Sequence, residues 1–328
     1  MRPRKILGGV ALAAAAVLSL SACAGGDASG GGAEYRIGVS QFVQHPALDA
    51  ATAGFQRAFE EAGLNVSFDV QNANAEQSTA TTIAGKFASD DTDLVLAVAT
   101  PAAQSAAQAV TGKPVLFTAV TDPVEAGLVD SLEAPGRNVT GTTDLNPVAE
   151  QIGLIREVLP QAKTVGVVYS SGEVNSEVQL GLAREAAKGL GLEIKEVTIT
   201  SAGELSTALS TLGDVDAIYV PTDNRVTEGV ATVVEYAETN RVPLFAAEEN
   251  TVEAGAVATL GLDYEQLGYQ TGQMAIRILT EGADPASMPV EEQSEFLLSI
   301  NPAAAQAQGV TIPEALVQRA DQTFGEDK

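Results

Sequence analysis

From Tyr35 onward the chain alternates short β-rich runs with helical patterns, and this rhythm constrains the fold more than any other feature. The runs are YRIGVSQ, VSFDVQNA, DLVLAVAT and PVLFTAV, followed by KTVGVVYS, EIKEVTIT, DAIYVPTD and VPLFAAE. Apolar strands spaced by helix-length segments pair in parallel, with helical crossovers covering the sheet faces. Between the first two runs Pro46 suits a first helical turn, and Leu48, Ala51, Phe55 and Phe59 recur three and four residues apart as a buried stripe. Ala75 to Ser89, Ser176 to Leu190, Ala202 to Leu212 and Val226 to Thr239 behave alike, with Gly or Asn near several ends as helix stops.

The alternation breaks at Gly136 to Pro147, where GRNVTGTTDLNP is rich in turn formers, before a helical pattern from Val148 to Leu159 opens a second strand series. Two further irregular stretches, Gly255 to Tyr264 and Gly282 to Val290, flank a helical pattern from Glu265 to Glu281. With 328 residues, about twice the ~150-residue prior for one domain, the chain is expected to form two lobes joined by three crossings. The fold class is α/β: two lobes, each a βα series with a parallel sheet. The expected boundaries are 35–143 plus 261–288 for the first lobe and 144–260 plus 289–328 for the second.

The N-terminus has a different character. Arg2, Arg4 and Lys5 precede an apolar run from Ile6 to Leu20 that is too short for a comfortable membrane span, the pattern of a secretory signal. The run ends in Leu20-Ser21-Ala22-Cys23, which resembles the bacterial lipobox, whose cysteine is lipidated and becomes the first mature residue. Residues 1–22 are therefore expected to be the signal peptide. Residues 23–34, containing AGGDASGGG, form a flexible tether, because such a composition has nothing to bury. A lipid with more than one acyl chain would hold the protein durably on the outer face of the cytoplasmic membrane, at the cell surface or in a periplasm.

Charge and side-chain chemistry exclude several functions. The formal charge of −25 becomes −28 once Arg2, Arg4 and Lys5 are removed, and a field of that sign repels nucleic acid and anionic lipid. One Cys and one His leave no internal disulfide and no multi-histidine metal site. There is no GxGxxG dinucleotide loop and no GxSxG elbow, and Gly112-Lys113 is followed by Pro114 rather than the Ser or Thr of a P-loop. No cofactor, metal or catalytic residue is expected, and the chain reads as a monomer and not an enzyme.

Ligands of parallel α/β sheets bind beyond the carboxyl ends of the strands. The first lobe places Gln41-Phe42, Thr100-Pro101 and Thr121-Asp122 there; the second places Ser170 to Asn175, Pro221 to Asn224, and Glu248. Two such rims face to face would form a polar cleft.

The same exits carry a family resemblance. IGVSQFVQHPALDA, AVATPAAQ, FTAVTDPVEAGLV, NVTGTTD, YSSGEVNS, YVPTDN and GLDYEQLGYQTG resemble the tryptophan/tyrosine-type substrate-binding lipoproteins of ABC transporters, from about Tyr35 to Ala304. The resemblance implies a type I periplasmic-binding fold with two Rossmann-like lobes and three hinge strands, a membrane permease as partner, and an aromatic amino acid (tryptophan, tyrosine or phenylalanine) as ligand. Other small solutes (aliphatic amino acid, sugar or nucleoside), a sensory role and, less favoured, an exported α/β hydrolase are the alternatives. This chain departs from the family in having Ser40 where an aliphatic residue usually precedes the first-motif Gln.

An amino acid needs donors for its carboxylate, a carboxylate for its ammonium and an apolar slot. Thr100, Thr121 and Ser170 offer hydroxyls beside helix N-termini. Asp122, Asp223 and Glu248 are candidates for the ammonium, with Asp223 beside Asn224 favoured. Gln41 has an amide that both donates and accepts, and Phe42 and Tyr169 offer rings for stacking. The expected division puts the ligand carboxylate on Thr100 and Thr121 and the ammonium on Asp223. His45, before Pro46, reads as a local turn partner.

Overall fold

A computed structural model describes residues 34–325 of the chain. The expected signal 1–22, Cys23 and all but the last residue of the tether lie outside the described residues. The first strand series is β1 (Tyr35–Gln41), β2 (Val66–Asn72), β3 (Leu94–Val98), β4 (Val115–Val120) and β5 (Val139–Thr143), interleaved with α1 (Pro46–Glu61), α2 (Gln77–Ser89) and α3 (Thr100–Ala109). The second is β6 (Thr164–Ser170), β7 (Glu193–Ile199), β8 (Ala217–Val220), β9 (Leu244–Ala246) and β10 (Ala258–Gly261). Its helices are α4 (Val148–Val158), α5 (Val174–Gly189), α6 (Leu205–Thr211), α7 (Asn224–Glu228), α8 (Val230–Asn240) and α9 (Glu249–Ala254). The chain ends with α10 (Tyr264–Glu281), β11 (Glu291–Glu292), β12 (Leu297–Ile300), α11 (Pro302–Ala307), α12 (Glu314–Gln318) and β13 (Gln322–Thr323).

Two sheets result. One has strand order β11-β5-β4-β3-β1-β2 and the other β13-β12-β10-β9-β8-β6-β7; β10–β12 is the antiparallel pair in otherwise parallel pairing. The chain passes between lobes after β5, after β10 and after β11. The last passage falls later than the irregular stretch Gly282 to Val290, because Glu291 and Glu292 still pair with Thr142 and Thr143 of the first sheet. Helix α10 returns to the first lobe and crosses α1 at backbone contact: a Cβ on Gly268 would lie 1.8 Å from the Ala51 carbonyl oxygen, and one on Gly54 1.9 Å from that of Glu265. No side chain fits at either position, so the glycines set how closely the returning helix docks.

Each lobe has its own core. In the first, Phe55, Phe59, Phe87 and Phe117 are fully buried beneath α1, α2 and the sheet, and each such ring contributes about 1.5–3 kcal/mol by leaving water. In the second, alternation along the strands fills two faces: Val165, Val167, Tyr169, Tyr219 and Phe245 lie on one, Val168, Ile218, Val220 and Leu244 on the other. Tyr169 therefore belongs to the core of its own lobe rather than to a stacking position between lobes.

Candidate functional site

The carboxyl ends of both sheets meet in a closed, polar interior. On the first lobe, the backbone there is strained: Asn74, Ala75 and Ala99 at turns, and Ala119 within β4, have φ of +50°, +59°, +80° and +55°. Backbone strain in non-glycine residues costs about 1–3 kcal/mol each and gathers where geometry is functionally constrained. Ala99 makes the sharp turn from β3 into α3. Its N–H donates to the Thr118 carbonyl at 3.1 Å, which leaves Thr100 as the first helical residue with its hydroxyl buried and without a partner. The leading N–H groups of α3 have no acceptor within the helix, so this end presents free donors and the positive end of a dipole.

Most other polar residues of this rim are spent on the lobe itself. The Gln41 amide donates to Val43 O at 2.9 Å and Asp49 Oδ1 at 2.7 Å, and accepts from the Thr52 hydroxyl, so it pins the start of α1. Asp122 is partly exposed and caps its own turn, accepting from the N–H groups of Val124 and Glu125. Pro101 lies in the first turn of α3, its carbonyl accepting from Gln77 and Ser105. Phe42 is fully buried in the lobe core. Thr121 donates to Asp144 Oδ1 at 2.9 Å, and Tyr264 at the start of α10 donates to Asp144 Oδ2 at 2.9 Å. Asp144 thus ties together the first two crossings. Burial raises its pKa against these two hydroxyl donors. Ser40 is buried with its hydroxyl unpartnered, so the departure from an aliphatic residue places a free polar atom beneath the rim.

The second rim holds the charges. Asp223 caps α7, accepting from the N–H groups of Arg225 and Val226 on one oxygen and from Ser170 N at 2.5 Å and the Ser176 hydroxyl at 2.6 Å on the other. Four donors saturate it, and no lone pair remains for a ligand. Glu173 accepts from the Asn175 amide and from both the backbone and side chain of Asn224, with the Arg225 guanidinium 3.5 Å away. Burial first, then the charge of Asp223, pushes the Glu173 pKa up to about 7 against those donors. The second amide contact of Asn175 is the Thr222 carbonyl at 2.9 Å, and its own Oδ1 is buried without a partner.

Glu248 differs from all of these. It is 2% exposed at the exit of β9, accepts no capping hydrogen bond from α9, and its Oε2 has no partner. Burial, and then the charges of Asp144, Asp223 and Glu173, push its pKa well above the usual carboxylate range. A buried carboxyl among three others stays neutral unless a cation pairs with it.

Asp144, Arg225 and Tyr264 were not among the candidate site residues named from the sequence, and Glu173 was covered only by the stretch Ser170 to Asn175. Asp144 and Glu173 do follow directly on strand exits inside the motifs NVTGTTD and YSSGEVNS, which is the signal that points to them. Conversely, Gln41, Asp122 and Asp223 hold the ends of their own elements, while Thr100, Asn175 and Glu248 keep unspent polar atoms.

This architecture, two parallel α/β lobes joined by three passages with a buried polar cleft at the strand ends, defines a type I periplasmic-binding protein. The model of the ABC transporter substrate binding protein family matches residues 36–324, and the chain belongs to that family. It is 40% identical over 315 residues to a tyrosine-binding protein of Clostridioides difficile strain R20291, covering 92% of this chain and 91% of that one. Among solved structures, it superposes with TM-score 0.86 and 38% identity on the ABC domain in complex with L-Trp from Streptococcus pneumonia, covering 89% of this chain and 100% of that one. The ligand-free, open structure of a substrate-binding protein with adhesive properties from Clostridium difficile is 41% identical over the same shares but superposes with TM-score 0.67. Despite its slightly higher identity the open structure superposes less well.

Proposed function

We propose that this protein is the exported receptor of an ABC importer that closes its two lobes over an aromatic amino acid and presents the closed form to a membrane permease. One observation carries the reading. Among the buried polar atoms left without a partner are a carboxylate oxygen on the second lobe, Glu248, and a hydroxyl at a helix N-terminus on the first, Thr100. An amino acid zwitterion complements that pair: its ammonium goes to Glu248, supported by Asp144, and its carboxylate to Thr100 and the N–H groups of α3. The saturated Asp223 serves the second rim as a cap instead. The names of the tyrosine-binding relative and of the L-Trp complex support an aromatic side chain on the ligand.

Because closure brings both rims onto one molecule, a ligand that touches both binds the closed form better, and only that difference shifts the population. The test is direct, since the chain contains no tryptophan and a bound L-tryptophan would supply the only indole in the complex. Titration should shift L-tryptophan emission and raise the melting temperature, as should L-tyrosine or L-phenylalanine, while glucose and L-leucine should not. A panel in which the aromatic amino acids are silent and another solute is active would reassign the ligand.

The same reading includes a lipid on Cys23 at the end of the LSAC sequence. Metabolic labelling with a palmitate analogue should mark the wild type and not Cys23→Ser; equal labelling of both would discard the anchor.

A further inference from the structure

The seam between the lobes contains one contact that neither rim needs for its own fold. Arg225, at the start of α7 in the second lobe, is held there by its Nη1, which donates to the Ser170 hydroxyl at 3.0 Å and lies 3.5 Å from Glu173. Its Nη2 extends across to the first lobe and donates to the Ala75 carbonyl at 2.9 Å, while the guanidinium carbon sits 5.5 Å from the centre of the Phe42 ring. The receiving carbonyl is preformed: Ala75 is held at φ +59°, and its N–H is tied to the Phe42 carbonyl at 2.9 Å. Val174, at the start of α5, packs against the core of the first lobe beside this contact. Only arginine fits the arrangement, because one planar fork must satisfy acceptors on two lobes at once.

We propose that Arg225 is an inter-lobe latch, a positioning residue that stabilises the closed conformation with and without solute and so sets affinity without touching the ligand. The latch rests on the reading that the lobes close over a solute. It adds that part of the closing free energy comes from a contact between protein and protein, present whatever lies between the rims. Opening breaks the bonds to Ala75 and Phe42 and leaves those to Ser170 and Glu173 intact, so the guanidinium stays aimed for the next closure.

Arg225→Gln and Arg225→Lys, checked for folding by circular dichroism, test this against L-tryptophan, L-tyrosine and L-phenylalanine by calorimetry and stopped flow. Arg225→Gln should weaken every ligand that binds by the same factor, about tenfold, the size expected for a hydrogen bond from a charged donor. Most of the loss should lie in a faster off-rate, since the latch forms after encounter. Arg225→Lys, a point charge that reaches one lobe at a time, should fall between. Unchanged affinity in a folded Arg225→Gln, or a loss that differs several-fold among the ligands, would overturn the latch, the latter by making Arg225 a ligand contact. If none of the three ligands binds the wild type, the ligand assignment fails on its own. The latch is then decided by small-angle scattering of the ligand-free proteins: a larger radius of gyration for Arg225→Gln supports it, and equal radii reject it.

Discussion

The two rims use opposite chemistry. At its strand exits the first lobe buries neutral groups, Ser40, Thr100 and Thr121, beside strained backbone and a helix N-terminus. The second has Glu173, Asp223 and Glu248 there, with a lone guanidinium, Arg225. A neutral rim with oriented dipoles suits an anion without storing charge in the empty state, whereas the acidic rim leaves a carboxylate exposed to its own repulsion until a cation arrives. The contrast teaches a second lesson inside the acidic rim. Asp223 and Glu248 are both buried, but one has four donors and the Oε2 of the other has none, so free valence rather than burial or charge is what sets the proposed ligand contact apart from the structural cap.

Substituting those two carboxylates breaks or sharpens that distinction most strongly. Glu248→Gln should weaken binding of the amino-acid ligand by about 30-fold to several thousandfold, the cost of removing one member of a buried charged pair, roughly 2–5 kcal/mol. Its effect on the ligand-free melting temperature should be small or stabilising, because a buried carboxyl with an unpartnered oxygen is removed. Asp223→Asn should do the reverse. An amide cannot accept from four donors, so α7 and the Ser170 turn lose about 2 kcal/mol of support while the affinity of the folded protein changes far less than for Glu248→Gln. Calorimetry alongside thermal melts of both variants checks the pair; equal affinity losses with equal melting temperatures would erase the distinction.

That distinction marks where reading the sequence stops. The strands and helices were legible because each carries a local signature: Leu48, Ala51, Phe55 and Phe59 on α1, or the unbroken apolar run of β3. The strand exits were legible for the same reason, and they hold the candidate site. The short strand β11, Glu-Glu, has no apolar signature and pairs only because α10 returns the chain beside β5. What a side chain is bonded to is equally non-local: Asp223 is saturated by Ser170 and Ser176, about fifty positions away, and no property of PTDN encodes that.

The rims also differ in how they respond to pH. Glu173, raised to about 7, binds more protons folded than unfolded between the ordinary carboxylate range and pH 7, so its contribution to stability declines as pH rises through that window. His45 on the first rim is buried and pushed down to about 4 despite the Asn224 amide and the Asp49 carboxylate. It binds fewer protons folded than unfolded between about 4 and its ordinary 6.5, so its contribution grows as pH rises. The two oppose each other across nearly the same interval. Relative to the wild type, Glu173→Gln should therefore tilt the melting-temperature profile from pH 4 to 6.5 upward, and His45→Gln should tilt it downward; identical profiles for the two variants would dismiss one group from each rim.

The smallest expected effect tests the neutral rim. Thr100 and Thr121 are both buried hydroxyls at strand exits, but Thr121 donates to Asp144 and Thr100 has no partner. Replacing each by the near-isosteric valine removes the hydroxyl with little change in shape. Thr121→Val should cost about 1 kcal/mol of stability, since Asp144 loses one of its two hydroxyl donors. Thr100→Val removes nothing the ligand-free fold uses, so its melting temperature should hold or rise slightly while affinity for the amino-acid carboxylate falls about fivefold to tenfold, the range of a single net hydrogen bond. The carboxamide analogue of the same amino acid, which lacks the negative charge, should bind weakly to the wild type and lose less on Thr100→Val than the parent does. If parent and carboxamide lose equally, the hydroxyl is not paired with the carboxylate, and the ligand anion must be sought at another part of the first rim.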